Sequence, residues 1–229
     1  MNNKEKFELV VNAGLQAIPY VGGPLATLYF GYKQEQRFQR IEQTLKEVAT
    51  ELEGVTLPSL EDHNKDELMS LIDELTDKIE NEHLEYKRKL YKQYFKNILI
   101  TPTNGNYEER KLFLNILSQI TPLQIELFQF ILIHNNVIDL QITKPNTDIS
   151  LIRSSILQLE NYGLVTATLY SISLGGPNSG MPMMLNASEF GKRFNNFCLQ
   201  NWKNIKSKEL VKTLLIFFIN IIVLEKGRW

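Results

Sequence analysis

The side chains with which this chain could do chemistry are few and scattered. Its three histidines are His63, His83 and His134, its single cysteine is Cys198, and its carboxylates include the cluster Asp73, Glu74, Asp77 and Glu80. Metal binding needs two or more of these at ligand spacing, and nucleophilic catalysis needs a base beside the nucleophile. Neither pattern occurs: no histidine falls in a metal or nucleophile motif, and the carboxylates recur at the spacing of a solvated helix face. Cys198 belongs to an aromatic-lined helix face, where a cysteine is ordinarily packing material. Gly175-Gly176-Pro177-Asn178-Ser179-Gly180 is glycine-rich, yet it lacks the Lys-Ser/Thr of a phosphate-binding loop and leads into a strand. The expectation is a protein with no catalytic residue, no cofactor, no metal and no small-molecule substrate.

Two other patterns point to interaction. Tyr86-Lys87-Arg88-Lys89-Leu90-Tyr91-Lys92-Gln93-Tyr94-Phe95-Lys96 interleaves cations with aromatics. Bases stack on aromatic rings while lysines meet phosphate, so Lys87, Arg88 and Tyr91 are candidates for a nucleic-acid surface. The plainer reading is a solvated face over an aromatic core stripe. Pro19-Tyr20-Val21-Gly22-Gly23-Pro24 interrupts an uncharged stretch from Leu9 to Tyr32. Pro19, Gly22, Gly23 and Pro24 would form the turn of a tight apolar hairpin, since glycine reverses the chain where a Cβ would clash. That hairpin is either packed in protein or is a membrane element. The span is long enough for the ~20 residues a bilayer requires, but it is broken at its centre.

The elements that carry these residues read as mostly α. Phe38, Ile41, Leu45, Val48 and Leu52 recur by three and four, predicting an amphipathic helix that Gly54 stops. Asn64 with Glu67 caps a further long helix carrying Leu68, Leu71, Ile72, Leu75, Ile79, Leu90, Tyr94, Ile98 and Leu99. A short connector makes the two antiparallel. Residues 1–100 are thus expected as a helical hairpin and long helices, separated by the loop Thr101 to Gly105 from a second module.

That module, 106–200, follows the outline of a winged helix. Asn106 with Glu109 and Thr121 with Gln124 read as capping boxes, and Pro122 fits N1. The first helix presents Leu112, Phe113, Ile116, Leu117 and Ile120, and the second Ile125, Phe128, Ile131 and Leu132. After Thr147 or Asp148 comes a third, with Ile149, Ile152, Ile156, Leu157 and Leu159 inward and Gly163 at its end. Leu164 to Leu174 is β-branched and aromatic, Gly175 and Gly176 open a hairpin tip, and Met181 to Leu185 returns. Asn186 with Glu189 then caps a helix bearing Phe190, Phe194 and Phe197. The fold class is therefore mostly α, followed by a winged-helix-like α+β module. Residues 201–229 form a basic, apolar tail, with six basic residues against Glu209 and Glu225 from Trp202 onward. Its run 213–224 is either buried or a surface anchor on a membrane.

Charge argues against DNA. The whole chain carries a formal net charge of -1. Between Tyr107 and Gln200, six Lys and Arg stand against seven Asp and Glu, and the would-be recognition helix has only Arg153. A DNA-binding domain neutralises several phosphates with Lys and Arg. Protein–protein contact or self-association is the better use of the module, with a membrane surface as a further partner. One cysteine and the opening Met-Asn-Asn-Lys-Glu-Lys, which is no signal peptide, fit a cytoplasmic protein.

Lys89-Leu-Tyr-Lys-Gln-Tyr-Phe-Lys-Asn-Ile-Leu99, followed by Phe113-Leu-Asn-Ile-Leu-Ser-Gln-Ile-Thr-Pro122 and the apolar helix from Ile125 to Ile131, resembles bacterial Abi-alpha-type proteins. In that family a helix ends in an Asn-Leu-Leu-like element and the next closes in Gln-Leu-Ser-Pro. Asn97-Ile98-Leu99 and Gln119-Ile120-Thr121-Pro122 take those places, over about a third of the chain. Asn104-Gly105-Asn106-Tyr107 stands where the family has a His-Pro element. The resemblance implies a role associated with phage abortive infection and brings no catalytic residues. A winged-helix transcriptional regulator, or a winged-helix subunit of a DNA-associated assembly, is the alternative.

Overall fold

A computed structural model of the chain describes residues 40–170 and 182–202, apart from positions 42, 46, 49, 53, 54, 56, 57, 59–61 and 201. The expected apolar hairpin around Pro19, Gly22, Gly23 and Pro24, the hairpin tip at Gly175 and Gly176, and the tail beyond Trp202 lie outside the described residues. The chain is mostly helical with a small three-stranded antiparallel sheet. It divides into two compact units, Met1–Ser118 and Gln119–Trp229. The division falls between two helices of the module read as one from the sequence, rather than at the Thr101 to Gly105 loop.

The first unit is built from helices. The described residues between 40 and 51 are helical (α1), followed by α2 (Lys65–Asn81), α3 (Glu85–Ile100) and α4 (Tyr107–Gln119). Asn64 caps α2, its Oδ1 accepting from the Glu67 amide at 3.4 Å, and Asp66 and Glu67 occupy the electropositive first turn. Leu68, Leu71, Ile72, Leu75 and Ile79 form its buried stripe. The helix expected to run on to Leu99 stops instead at Asn81. Glu82 causes the break: its amide closes on the Ile79 carbonyl, and its carboxylate accepts from the Leu84 amide at 2.8 Å, fixing a turn before α3.

Arg40 donates to the Glu80 carbonyl through Nε at 3.1 Å and Nη2 at 2.6 Å, so the start of α1 lies beside the end of α2. Lys92 pairs with Glu47 at 2.9 Å and Glu51 at 3.1 Å, and Lys96 with Glu51 at 3.2 Å, setting α1 alongside α3 in the same direction. The loop after α3 is pinned to the start of α2. The Thr103 amide donates to His63 Nδ1 at 3.3 Å, and the Asn64 amide donates to the Thr103 carbonyl at 3.2 Å. His63 is buried, and desolvation holds its imidazole below the usual range. Asn106 does not cap α4 with its side chain. Its amide donates to the Pro102 carbonyl at 3.0 Å instead. Leu112, expected inward, is exposed.

The second unit runs α5 (Pro122–His134), β1 (Val137–Ile138), a 3₁₀ turn at Asp139–Gln141, α6 (Ile149–Asn161), β2 (Val165–Leu169), β3 (Met183–Ala187) and α7 (Glu189–Phe194). Asn195–Leu199 prolongs α7 in π-helical form. Thr121 and Gln124 complete the expected capping box of α5. Every residue from Gln124 to Ile131 is buried, so α5 is the central helix. Its glutamines find partners there: Gln124 meets Gln158 of α6, and Gln129 donates to Asn195 at 2.5 Å.

Gly163 closes α6 at φ +73, as expected, with the Leu164 amide on the Leu159 carbonyl at 3.0 Å. The sheet order is β1-β3-β2, with Ala167 opposite Leu185 and Val137 opposite the same Leu185 on the other side. The two-residue β1 has no counterpart in the sequence reading. The cap of α7 also differs. Ser188, not Asn186, accepts from the Gly191 amide at 2.8 Å, because Asn186 lies within β3 and its side chain accepts from the Asn136 amide at 2.8 Å.

Candidate interaction surface

The lysine–aromatic segment of α3 faces inward more than its composition implies. Lys87 is only 4% exposed, and its Nζ donates to the Leu117 carbonyl in the last turn of α4 at 2.6 Å. That carbonyl has no partner within its own helix, so the ammonium closes the end of α4. Burial pushes the Lys87 amine down to about 8, partly offset by the carboxylate of Glu82. Tyr91 is buried too, and the same desolvation raises its phenol well above the ordinary range. Tyr94 donates its hydroxyl proton to the Arg110 carbonyl at 2.9 Å. Lys87 and Tyr91 therefore hold helices together and present no outward surface.

Arg88 is half-buried and lines a groove of about 160 Å³ between α1 and α3, together with Arg40, Glu47, Glu85, Lys89 and Lys92. Most of these charges answer one another. Lys89 pairs with Glu85 at 2.7 Å and Lys92 with Glu47 at 2.9 Å. The Lys92 hydrogen bond holds the Glu47 carboxyl below its usual range. At Glu51, burial raises the carboxyl, but hydrogen bonds from Lys92 and Lys96 outweigh it and bring it below that range. The groove is an ion-pair ladder fixing helix register.

In the second unit, α6 buries Ile152, Ser155, Ile156 and Leu159. Asp148 caps it, accepting from the Ser150 amide at 2.6 Å, and that hydrogen bond holds the carboxyl below its usual range. The opposite side is open. Leu151 is 54% and Leu157 57% exposed, with Ile149, Arg153, Ser154 and Gln158 exposed around them. Ile149 and Leu157 were both expected inward. The stripe settles on Ile152, Ile156 and Leu159, and 100° per residue leaves Leu151 and Leu157 out of phase with it. Ser154 stands three residues from each leucine, so the three form one surface, with Arg153 one turn before Leu157. Such a face loses apolar area from water when another protein covers it, whereas Arg153 alone would neutralise a single phosphate.

Among the described residues no three His, Cys, Asp or Glu side chains gather as a metal set, and no helix is long and apolar enough to cross a membrane. Cys198 is buried. No family profile, curated protein or solved structure matches the chain.

Proposed function

We propose that this chain is a non-enzymatic, bacterial defence-type interaction protein that docks on a protein partner through the outward face of α6. The carrying observation is that face itself, with Leu151 and Leu157 in solvent and one cation, Arg153, beside them. The order of elements supports a winged-helix-like module: a central helix, a short strand, a second helix reduced to the 3₁₀ turn, α6 in the recognition position, and two antiparallel strands. In that module α6 would meet the partner as a recognition helix meets DNA, but with leucines in place of basic residues. The abortive-infection role rests on the sequence resemblance at 89–131. The N-terminal apolar hairpin serves in this reading as the effector, on a membrane or on protein, and the chain works in the cytoplasm or at the inner face of the membrane.

Expression in a bacterial host challenged with phage tests this. Wild-type chain protects, and Leu151→Glu/Leu157→Glu, folded normally by circular dichroism, does not. A wild type that gives no protection overturns the defence role. A double variant that protects equally overturns docking through α6. The second reading, a winged-helix regulator of transcription, is favoured by the element order alone and opposed by the lone Arg153.

A further inference from the structure

His63 meets the loop after α3 in a way that only one charge state of its ring allows. The loop 101–106 lies against the start of α2 through both backbone groups of Thr103. The Asn64 amide donates to the Thr103 carbonyl at 3.2 Å, as one strand bonds its neighbour. In return the Thr103 amide donates to a side chain, His63 Nδ1, at 3.3 Å, and the Thr103 hydroxyl stands 3.2 Å from the same nitrogen. Both residues are buried, Thr103 fully. A ring nitrogen accepts a hydrogen bond only while it carries a lone pair. The amide therefore fixes the tautomer, with Nδ1 bare and the proton on Nε2.

We infer that this contact is a pH-operated latch, in which the neutral His63 ring holds the loop 101–106 on the start of α2 and protonation of Nδ1 lets it go. A protonated ring donates from both nitrogens. Its new N–H points at the Thr103 N–H, which then has no acceptor in a place closed to water, where an unpaired amide is costly. The Thr103 hydroxyl can turn its oxygen toward the new proton and follow the ring in either state. The amide cannot, so the peptide at Thr103 must move. Burial disfavours the charged ring and is the larger influence on it, while the neighbouring carboxylate of Asp62 favours that form. The loop 101–106 carries no charged side chain, and the nearest charges of α2 in sequence are Lys65, Asp66 and Glu67 of its first turn. The folded ring is thus held below the ordinary 6.5, so the latch is closed above pH 6.5 and opens as pH falls below it. A second tie, Ser70 to Tyr107 through their hydroxyls at 2.9 Å, keeps the start of α4 on α2 when the latch opens. Release is therefore local to the loop. The device lies wholly within the first unit and is independent of docking through α6.

Amide exchange of the full chain, followed by NMR at about pH 7.5 and about pH 5, tests it, with protection factors removing the intrinsic effect of pH. In wild type the Thr103 and Asn64 amides are protected at the higher pH and lose that protection at the lower, while amides inside α2 keep theirs. His63→Asn puts a carbonyl oxygen, which accepts and does not titrate, where Nδ1 stood, and it holds protection at both pH values. Equal protection of Thr103 in wild type at both values, or a loss in His63→Asn that matches wild type, overturns the latch. Should that variant not fold, the wild-type ring decides. Its nitrogen resonances show Nδ1 without a proton at the higher pH, and the Thr103 amide resonance moves with the ring at one midpoint below 6.5. A proton on Nδ1 at the higher pH, or a Thr103 amide that ignores the titration, refutes it.

Discussion

Replacing Lys87 by methionine separates the two things the buried ammonium does. Folding takes this amine from an ordinary value of 10.5 down to about 8 because its charge is removed from water. Between those values the unfolded chain binds a proton that the folded chain has released. Stability attributable to Lys87 is therefore lowest below pH 8 and recovers as pH rises toward 10.5. The gap corresponds to about 3 kcal/mol, at roughly 1.4 kcal/mol per pH unit. At 4% exposure the side chain is little screened by solvent. Lys87→Met also deletes the 2.6 Å bond to the Leu117 carbonyl, a loss of about 1–3 kcal/mol that is nearly constant with pH. Tyr91, which resists ionisation in the same region, remains in both proteins and cancels in their difference. Urea unfolding at pH 7, 8, 9 and 10 gives the readout. Wild type gains about 2–3 kcal/mol on Lys87→Met between pH 7 and 10. Parallel profiles would show that Lys87 is hydrated in the folded chain and would refute the assignment of its burial.

Two further outcomes follow from packing. Ile152, 1% exposed on the inward face of α6, loses about 2–5 kcal/mol on truncation to alanine, read as a lowered urea midpoint. Gly191→Ala is harsher than its size implies, because the new Cβ would lie 2.2 Å from the Leu164 carbonyl oxygen, a backbone atom that cannot rotate aside. That variant melts well below wild type or fails to accumulate in soluble form, and an unchanged melting temperature would show that α7 does not seat on the turn after α6.

Features set by neighbouring residues were legible in the sequence. Thr121 and Gln124, Asp148, and Gly163 each act within one turn, and all three mark helix ends as expected. The break at Glu82 was not legible, because the apolar spacing continues through it and no Pro or Gly marks it. A carboxylate folding back on the Leu84 amide makes the turn. Asn186 and Ser188 both offer a capping oxygen, and only the pairing of β3 and the distant Asn136 amide decides between them. The inward turn of Lys87 depends on the end of α4, thirty residues away, so composition alone does not show it. The same limit hid the α6 face. Ile149 and Leu157 look like core residues by type, and only packing against the remainder of their unit leaves them in water.

The claim that α6 meets protein rather than DNA is tested most directly by fluorescence anisotropy of labelled duplexes titrated with the full chain at physiological salt. Arg153 is the single cation on the helix, so binding is expected to be no tighter than the roughly 10⁻⁴–10⁻⁶ M of non-specific contact, indifferent to sequence and unchanged by Arg153→Ala. Nanomolar binding to one defined duplex, abolished by Arg153→Ala, would contradict it and make the helix a reader of bases.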